Sequence, residues 1–186
     1  MIVTESKNRK IKICDQILEE IYSQIQKNDY DPEKGGIIVG RENLNNENII
    51  MNGCTEKQIS ELQQLCNGFC LPQSYIEFMK CMGNGTGGQF MRGDSCFMNE
   101  IFYLKEGANE LLIENNSKNT LLDEDFVFWM SQGCMFCFFK LNEGDNPPIY
   151  FYNEHGNDKF VRIAYSFTDF LISRLEMNGS LFKENE

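Results

Sequence analysis

The strongest constraint on how this chain folds lies between Cys54 and Phe90, where start and stop signals bracket two short helices. Thr55 is a good N-cap, and Gln58 completes a capping box in which each side chain satisfies a backbone N–H that the first turn leaves without a partner. Cys54 and Ile59 occupy the two positions of a hydrophobic staple. Ile59, Leu62, Leu65 and Cys66 recur at helical spacing, and Asn67-Gly68 tolerates the left-handed conformation that ends a helix. A second helix follows at once. Pro72 sits in its first turn, where a missing N–H is harmless, and Tyr75, Ile76, Phe78, Met79 and Met82 form a broad apolar face before Gly83-Asn84-Gly85 stops it.

Upstream, residues 1–9 read as a polar lead-in. Ile13, Ile17, Leu18, Ile21 and Ile25 predict a helix from about Lys10 to Lys27. Asp31 to Gly53 is loop-like, with candidate short strands at Ile37–Val39 and Ile49–Met51. Downstream, Gln89–Met91 and Cys96–Met98 are candidate strands around an Arg92-Gly93-Asp94 turn, Ile101–Leu104 is apolar, and Gly107–Asn115 is a candidate helix. Phe126–Ser131, Cys134–Leu141, Ile149–Asn153 and Lys159–Ala164 then read as four strands dense in aromatic and β-branched residues. Their connections are too short for a crossover helix, which predicts an antiparallel meander. The run Met135–Leu141 is apolar on both faces and belongs at the centre of the sheet. Ser166 caps a last helix, with Asp169 in the capping-box position, a Tyr165–Phe170 staple, and a buried stripe of Phe167, Phe170, Leu171 and Leu175 before Asn178-Gly179. Helices first and last with strands between them define an α+β fold, a largely antiparallel sheet with helices packed on it.

At 186 residues the chain suits one domain, placed at 10–178 with a tail at 179–186. No segment reaches the ~18 apolar residues of a membrane span, and the N-terminus lacks the apolar core of a secretory signal. A cytoplasmic location and no membrane partner are the expectation. The eight cysteines sit among apolar residues and are expected to be reduced.

Leu71-Pro72, the run Ser74–Met79, and Asn84-Gly85 with the glycines after it resemble the signature of the SUKH superfamily, which includes the fungal Smi/Knr regulators and bacterial toxin-immunity proteins. The resemblance resumes from Pro148 to Leu171, which is similar to that family's last hairpin and Ser-Phe-x-x-Phe-Leu helix start. It spans about residues 55–177 and carries over Leu71, Pro72, Tyr75, Phe78, Asn84, Gly85, Ser166, Phe167, Phe170 and Leu171 as fold determinants. The Asn-rich segment from Asp31 to Asn52 departs from the family's commoner form.

The chemistry-bearing residues each have a plainer reading. Gly83 to Gly88 fits G-x-G-x-x-G, yet it follows a helix C-terminus, where the partial charge repels phosphate, and so reads as a turn. Cys134 and Cys137 are three apart in a strand and point to opposite faces, which disfavours one ion held with Cys66 and Cys70. His155, the only histidine, lies in a polar hairpin tip. Asp123-Glu124-Asp125, or Asp94 with Glu100, lack the spacing of a calcium loop. Trp129 reads as strand packing, with an exposed partner anchor as the other possibility. No catalytic, cofactor or metal residues are expected, so the chain reads as a binding protein rather than an enzyme.

Charge bears on the partner. With +3 in the first twelve residues and −11 overall, the rest of the chain carries −14. So acidic a body repels nucleic acid and would attract a basic protein; the plainer reading is that the acidity only keeps the protein soluble. Together with the resemblance, this implies an immunity protein that binds and neutralises a basic nuclease toxin; the other reading is a Smi/Knr-like scaffold for endogenous partners. The candidate partner-binding acids are Asp123, Glu124, Asp125, Glu143, Asp145, Glu154 and Asp158.

Overall fold

A capping box starts the first described helix where the sequence predicts it, and a proline opens the next. The computed structural model describes residues 52–85, 91 and 93–174, so the expected helix at Lys10–Lys27, the runs at Ile37–Val39 and Ile49–Met51, and the signals at Leu175 and Asn178-Gly179 lie outside it. Helix α1 (Glu56–Gln64) opens on the capping box: Gln58 N–H donates to Thr55 Oγ1 at 3.3 Å and Thr55 N–H to Gln58 Oε1 at 2.9 Å. Asn67 and Gly68 then turn left-handed, with φ of 49° and 90°. Gln63 pins the loop to the next helix, donating to the Phe69 carbonyl at 2.5 Å and accepting from Leu71 N–H at 3.0 Å. Helix α2 (Gln73–Met82) starts directly after Pro72, whose carbonyl accepts from Ile76 N–H.

The glycine-rich end of α2 is a structural knot. Asn84 donates to the Gly53 carbonyl at 2.9 Å and accepts from Gln58 Nε2 at 2.8 Å, tying the end of α2 to the start of α1. Gly53 lies so close that a Cβ there would fall 1.8 Å from the Lys80 carbonyl oxygen. Any side chain at Gly53 would push the two helices apart.

Next come β1 (Asp94–Ser95), α3 (Ile101–Glu114), β2 (Asp125–Ser131), β3 (Met135–Lys140), β4 (Ile149–Asn153), β5 (Val161–Ala164) and a helix, α4, over 167–174. The strands form one five-stranded antiparallel sheet in chain order, with β3 in the middle as its two-sided apolarity requires. Register sets Phe126 opposite Phe139 and Trp129 opposite Cys137 on one face, and Val127 opposite Phe138 and Met130 opposite Phe136 on the other, with a bulge between Val127 and Trp129. On the first face Tyr75 of α2 meets Phe126, Phe139 and Phe167 with centroids 5.3–5.5 Å apart. On the second, Phe136 stacks on Tyr152, Phe138 on Tyr150, and Phe160 caps Phe138 edge-on at 4.8 Å. Helix α3 covers this second face at β2, where a Cβ on Gly107 would touch Met130 Sδ at 3.5 Å. Helices thus flank the sheet on both sides.

Four expectations need correction. The strand expected at Cys96–Met98 is Asp94–Ser95, paired with Ser131 and Met130; from Phe97 the chain already turns, its carbonyl accepting from Glu100 and Ile101 N–H. Met91 has φ 54°, which excludes an extended Gln89–Met91 at that residue. Ile101–Leu104 and Gly107–Asn115 join in one helix, because Ile101, Leu104, Ala108, Leu111 and Leu112 share a buried face. Tyr165 does not staple to Phe170: it is 77% exposed, with the Arg162 guanidinium 4.5 Å from its ring centroid. The Ser166 cap itself forms, accepting from Asp169 N–H at 3.0 Å.

The Tyr75 hydroxyl is buried without a hydrogen-bond partner among the described residues, and burial pushes its pKa well up. An unpaired buried hydroxyl costs about 1–3 kcal/mol. Tyr75→Phe, which keeps the ring and removes that penalty, should raise stability by about 1 kcal/mol, whereas Tyr75→Ala should lower it by about 3–5 kcal/mol. Urea midpoints at unchanged m-value measure both.

Candidate protein-binding surfaces

The reactive residue types are spent on structure. All seven described cysteines are free. Burial pushes the Cys54 and Cys66 thiols up to about 11 and those of Cys96 and Cys137 further still, so each stays protonated and acts as a small apolar side chain. Cys70 is exposed while Cys66 is fully buried. Among the described residues no three His, Cys, Asp or Glu side chains gather where they could hold a metal ion. His155 stands in the β4–β5 turn, 3.1 Å from Glu154. Glu100 accepts from Ser95 Oγ at 3.0 Å, an anchor between β1 and α3. Trp129 is 2% exposed with Arg174 lying 4.3 Å over its ring, so it is core and not an anchor for a partner.

The seven candidate acids separate into three groups. Asp123, Glu124, Glu143 and Asp145 gather at one end of the sheet, because β2 begins and β3 ends there: Asp125 pairs with Lys140, and Leu141 N–H donates to the Glu124 carbonyl at 2.8 Å. The loop between β3 and β4 is held firmly. Its Asp145 carbonyl accepts from Ser74 N–H of α2, Asn146 accepts from Thr168 N–H of α4, and Tyr150 OH donates to Glu143 at 3.0 Å. A rim of four acids is therefore presented on a rigid mount.

Two of the acids do something else. Asp125 is buried, 3% exposed, accepting from Leu122 N–H at 2.8 Å and lying opposite Lys140, so it cannot meet a partner. Asp158 is exposed but occupied: it accepts from Ser117 Oγ, from Lys118 N–H at 2.9 Å and from Asn119 Nδ2 at 2.9 Å, clamping the segment after α3 to the β4–β5 turn. Glu154 lies at the opposite end of the sheet from the rim, where its N–H donates to Cys134. Sequence analysis also missed the outer face of α3. Phe102, Tyr103 and Ile113 are exposed there, although composition alone would assign such residues to the core.

An antiparallel meander clasped by helices through one aromatic cluster is a helix-on-sheet α+β domain. A model of the SMI1 / KNR4 family (SUKH-1) matches residues 53–173, which run from the Gly53 contact into α4, and the chain belongs to that family. The family is generally of non-catalytic immunity or scaffold type, and membership points to binding of a protein partner. A comparison with curated proteins finds no match. Among the described residues no helix is long and apolar enough to cross a membrane.

The two occupied acids should respond to pH in opposite senses. Desolvation is the largest influence on Asp125 and raises its carboxyl pKa, so its ionised form opposes folding; Asp125→Asn should make no difference in strong acid, stabilise increasingly as pH rises from the ordinary carboxylate value to that raised value, and level off above it. The Lys118 N–H, followed by Ser117 and Asn119, lowers the Asp158 pKa, so its contribution exists above the ordinary carboxylate value and fades as pH falls through the lowered one. Asp158→Asn should lower Tm at neutral pH and converge on the wild type in acid, as thermal melts across pH would record.

Proposed function

We propose that this protein is an immunity protein that neutralises a toxin by stoichiometric binding, and that the toxin is a basic nuclease of a polymorphic or contact-delivered system. Membership of the SUKH-1 family supports the class of role. The observation that carries the choice of partner is the acid surplus, −14 outside the first twelve residues, of which Asp123, Glu124, Glu143 and Asp145 form the anchored rim. Carboxylates on a rigid mount stand in for the phosphates a nuclease expects and cover its cationic substrate groove. Their field also draws a basic partner in, and encounter is then fast and salt-sensitive.

Co-expression with the product of the adjacent gene is the direct test: protection of the cell and a stoichiometric complex are expected, and equal killing with and without this protein overturns the reading. Replacing the four rim acids with Asn or Gln should slow association about tenfold at low salt and flatten its salt dependence, with stopped-flow mixing as the measurement. Capture of endogenous proteins alone, with no toxin, would favour the scaffold role instead.

A further inference from the structure

Helix α3 carries a face that its own stability does not explain. Its buried residues lie on the sheet side. Phe102, Tyr103, Glu106, Glu110, Ile113 and Glu114 are all exposed, and at 3.6 residues per turn they fall within an arc of about 120° that runs about 18 Å along the helix. Tyr103 is 68% and Ile113 76% exposed, a large apolar area for one outer helix face.

The charges are arranged against the helix. Glu106, Glu110 and Glu114 follow one another at i, i+4, about 6 Å apart along the axis, where like charges repel. Helix stability alone would put acids in the first turn and bases in the last, yet α3 has no acid in its first turn and no base in its last. None of the three glutamates has an ion-pair partner among the described residues. Lys105, on the same helix, is turned aside to the carbonyls of Leu122 and Asp123.

We infer that the outer face of α3 is the surface on which a basic protein partner docks, laying arginine or lysine side chains along it. The inference rests on the toxin-binding reading and names its docking surface. Each cation finds a glutamate, its aliphatic stem covers Phe102 or Ile113, and a cation near the start of the helix sets its head over the Tyr103 ring. This protein already makes such contacts internally, with Arg162 over Tyr165 and Arg174 over Trp129. A second copy would set these glutamates against themselves, and nucleic acid or an anionic membrane would be repelled. The rim of acids at the sheet end then governs approach, while α3 governs release.

The test measures dissociation of a synthetic amphipathic peptide of arginine and leucine at helical spacing from the full-length chain, and then from the captured toxin complex. Glu106→Gln/Glu110→Gln/Glu114→Gln and, separately, Phe102→Ala/Tyr103→Ala should each speed release about tenfold. A rim variant that also loses three charges, Asp123→Asn/Glu143→Gln/Asp145→Asn, should act mainly on association and speed release less than either α3 variant does. The glutamine variant should also melt higher than the wild type, since it relieves the repulsion, and this shows that it is folded. Unchanged release from both α3 variants, or a lower melting temperature for the glutamine variant, overturns the inference. Toxin release that ignores α3 overturns the surface while leaving the immunity role standing; peptide held through α3 without capture of any basic toxin does the reverse.

Discussion

The packing of Tyr75 into the sheet organises this fold. The ring comes from α2 and is shared by Phe126 of β2, Phe139 of β3 and Phe167 of α4, with Phe78 and Phe128 closing the cluster at centroid distances of 6.1 and 6.2 Å. Most of these contacts are edge-on, the arrangement the ring quadrupole favours. Each such side chain contributes about 1.5–3 kcal/mol by leaving water. Residues separated by half the chain thereby depend on one another, and helices α2 and α4 are locked to the same face.

Everything exposed inherits its position from that cluster. The loop between β3 and β4 is bonded both to Ser74, next to Tyr75, and to Thr168, next to Phe167, so the acids it carries ride on the aromatic core. Rigidity of this kind lowers the entropy lost when a partner binds and lets a few charges act at defined places. The α3 face is set in the same way, from the opposite side of the sheet. Packing of Ala108, Leu111 and Leu112 inward fixes the helix phase and leaves Tyr103 and Ile113 pointing to solvent.

Signals that act within a few residues were legible in the sequence. The Thr55 and Ser166 caps, the Asn67-Gly68 stop and the aromatic and β-branched density of β2 to β5 need only local hydrogen bonds, backbone sterics and side-chain size. Where the reading failed, a distant contact had decided. β1 is too short to show any alternation and exists because β2 offers an edge to pair with. Gly107 appeared to divide α3, yet Met130 fills the space beside it. Tyr165 left its staple position because Arg162 offered its ring a cation.

The functional surfaces divide along the same line. The sequence by itself determined the α+β class, the antiparallel meander and the net acidity, since each is a sum or a short-range pattern. It could not tell Asp125, which the sheet buries opposite Lys140, from Glu124 one residue earlier, nor see that Asp158 is held by Ser117 and Lys118 about forty residues away. Which acids remain available, and which apolar residues of α3 face outward, only the tertiary structure decided. A charge is written in the residue itself, but its exposure depends on what the rest of the chain brings against it.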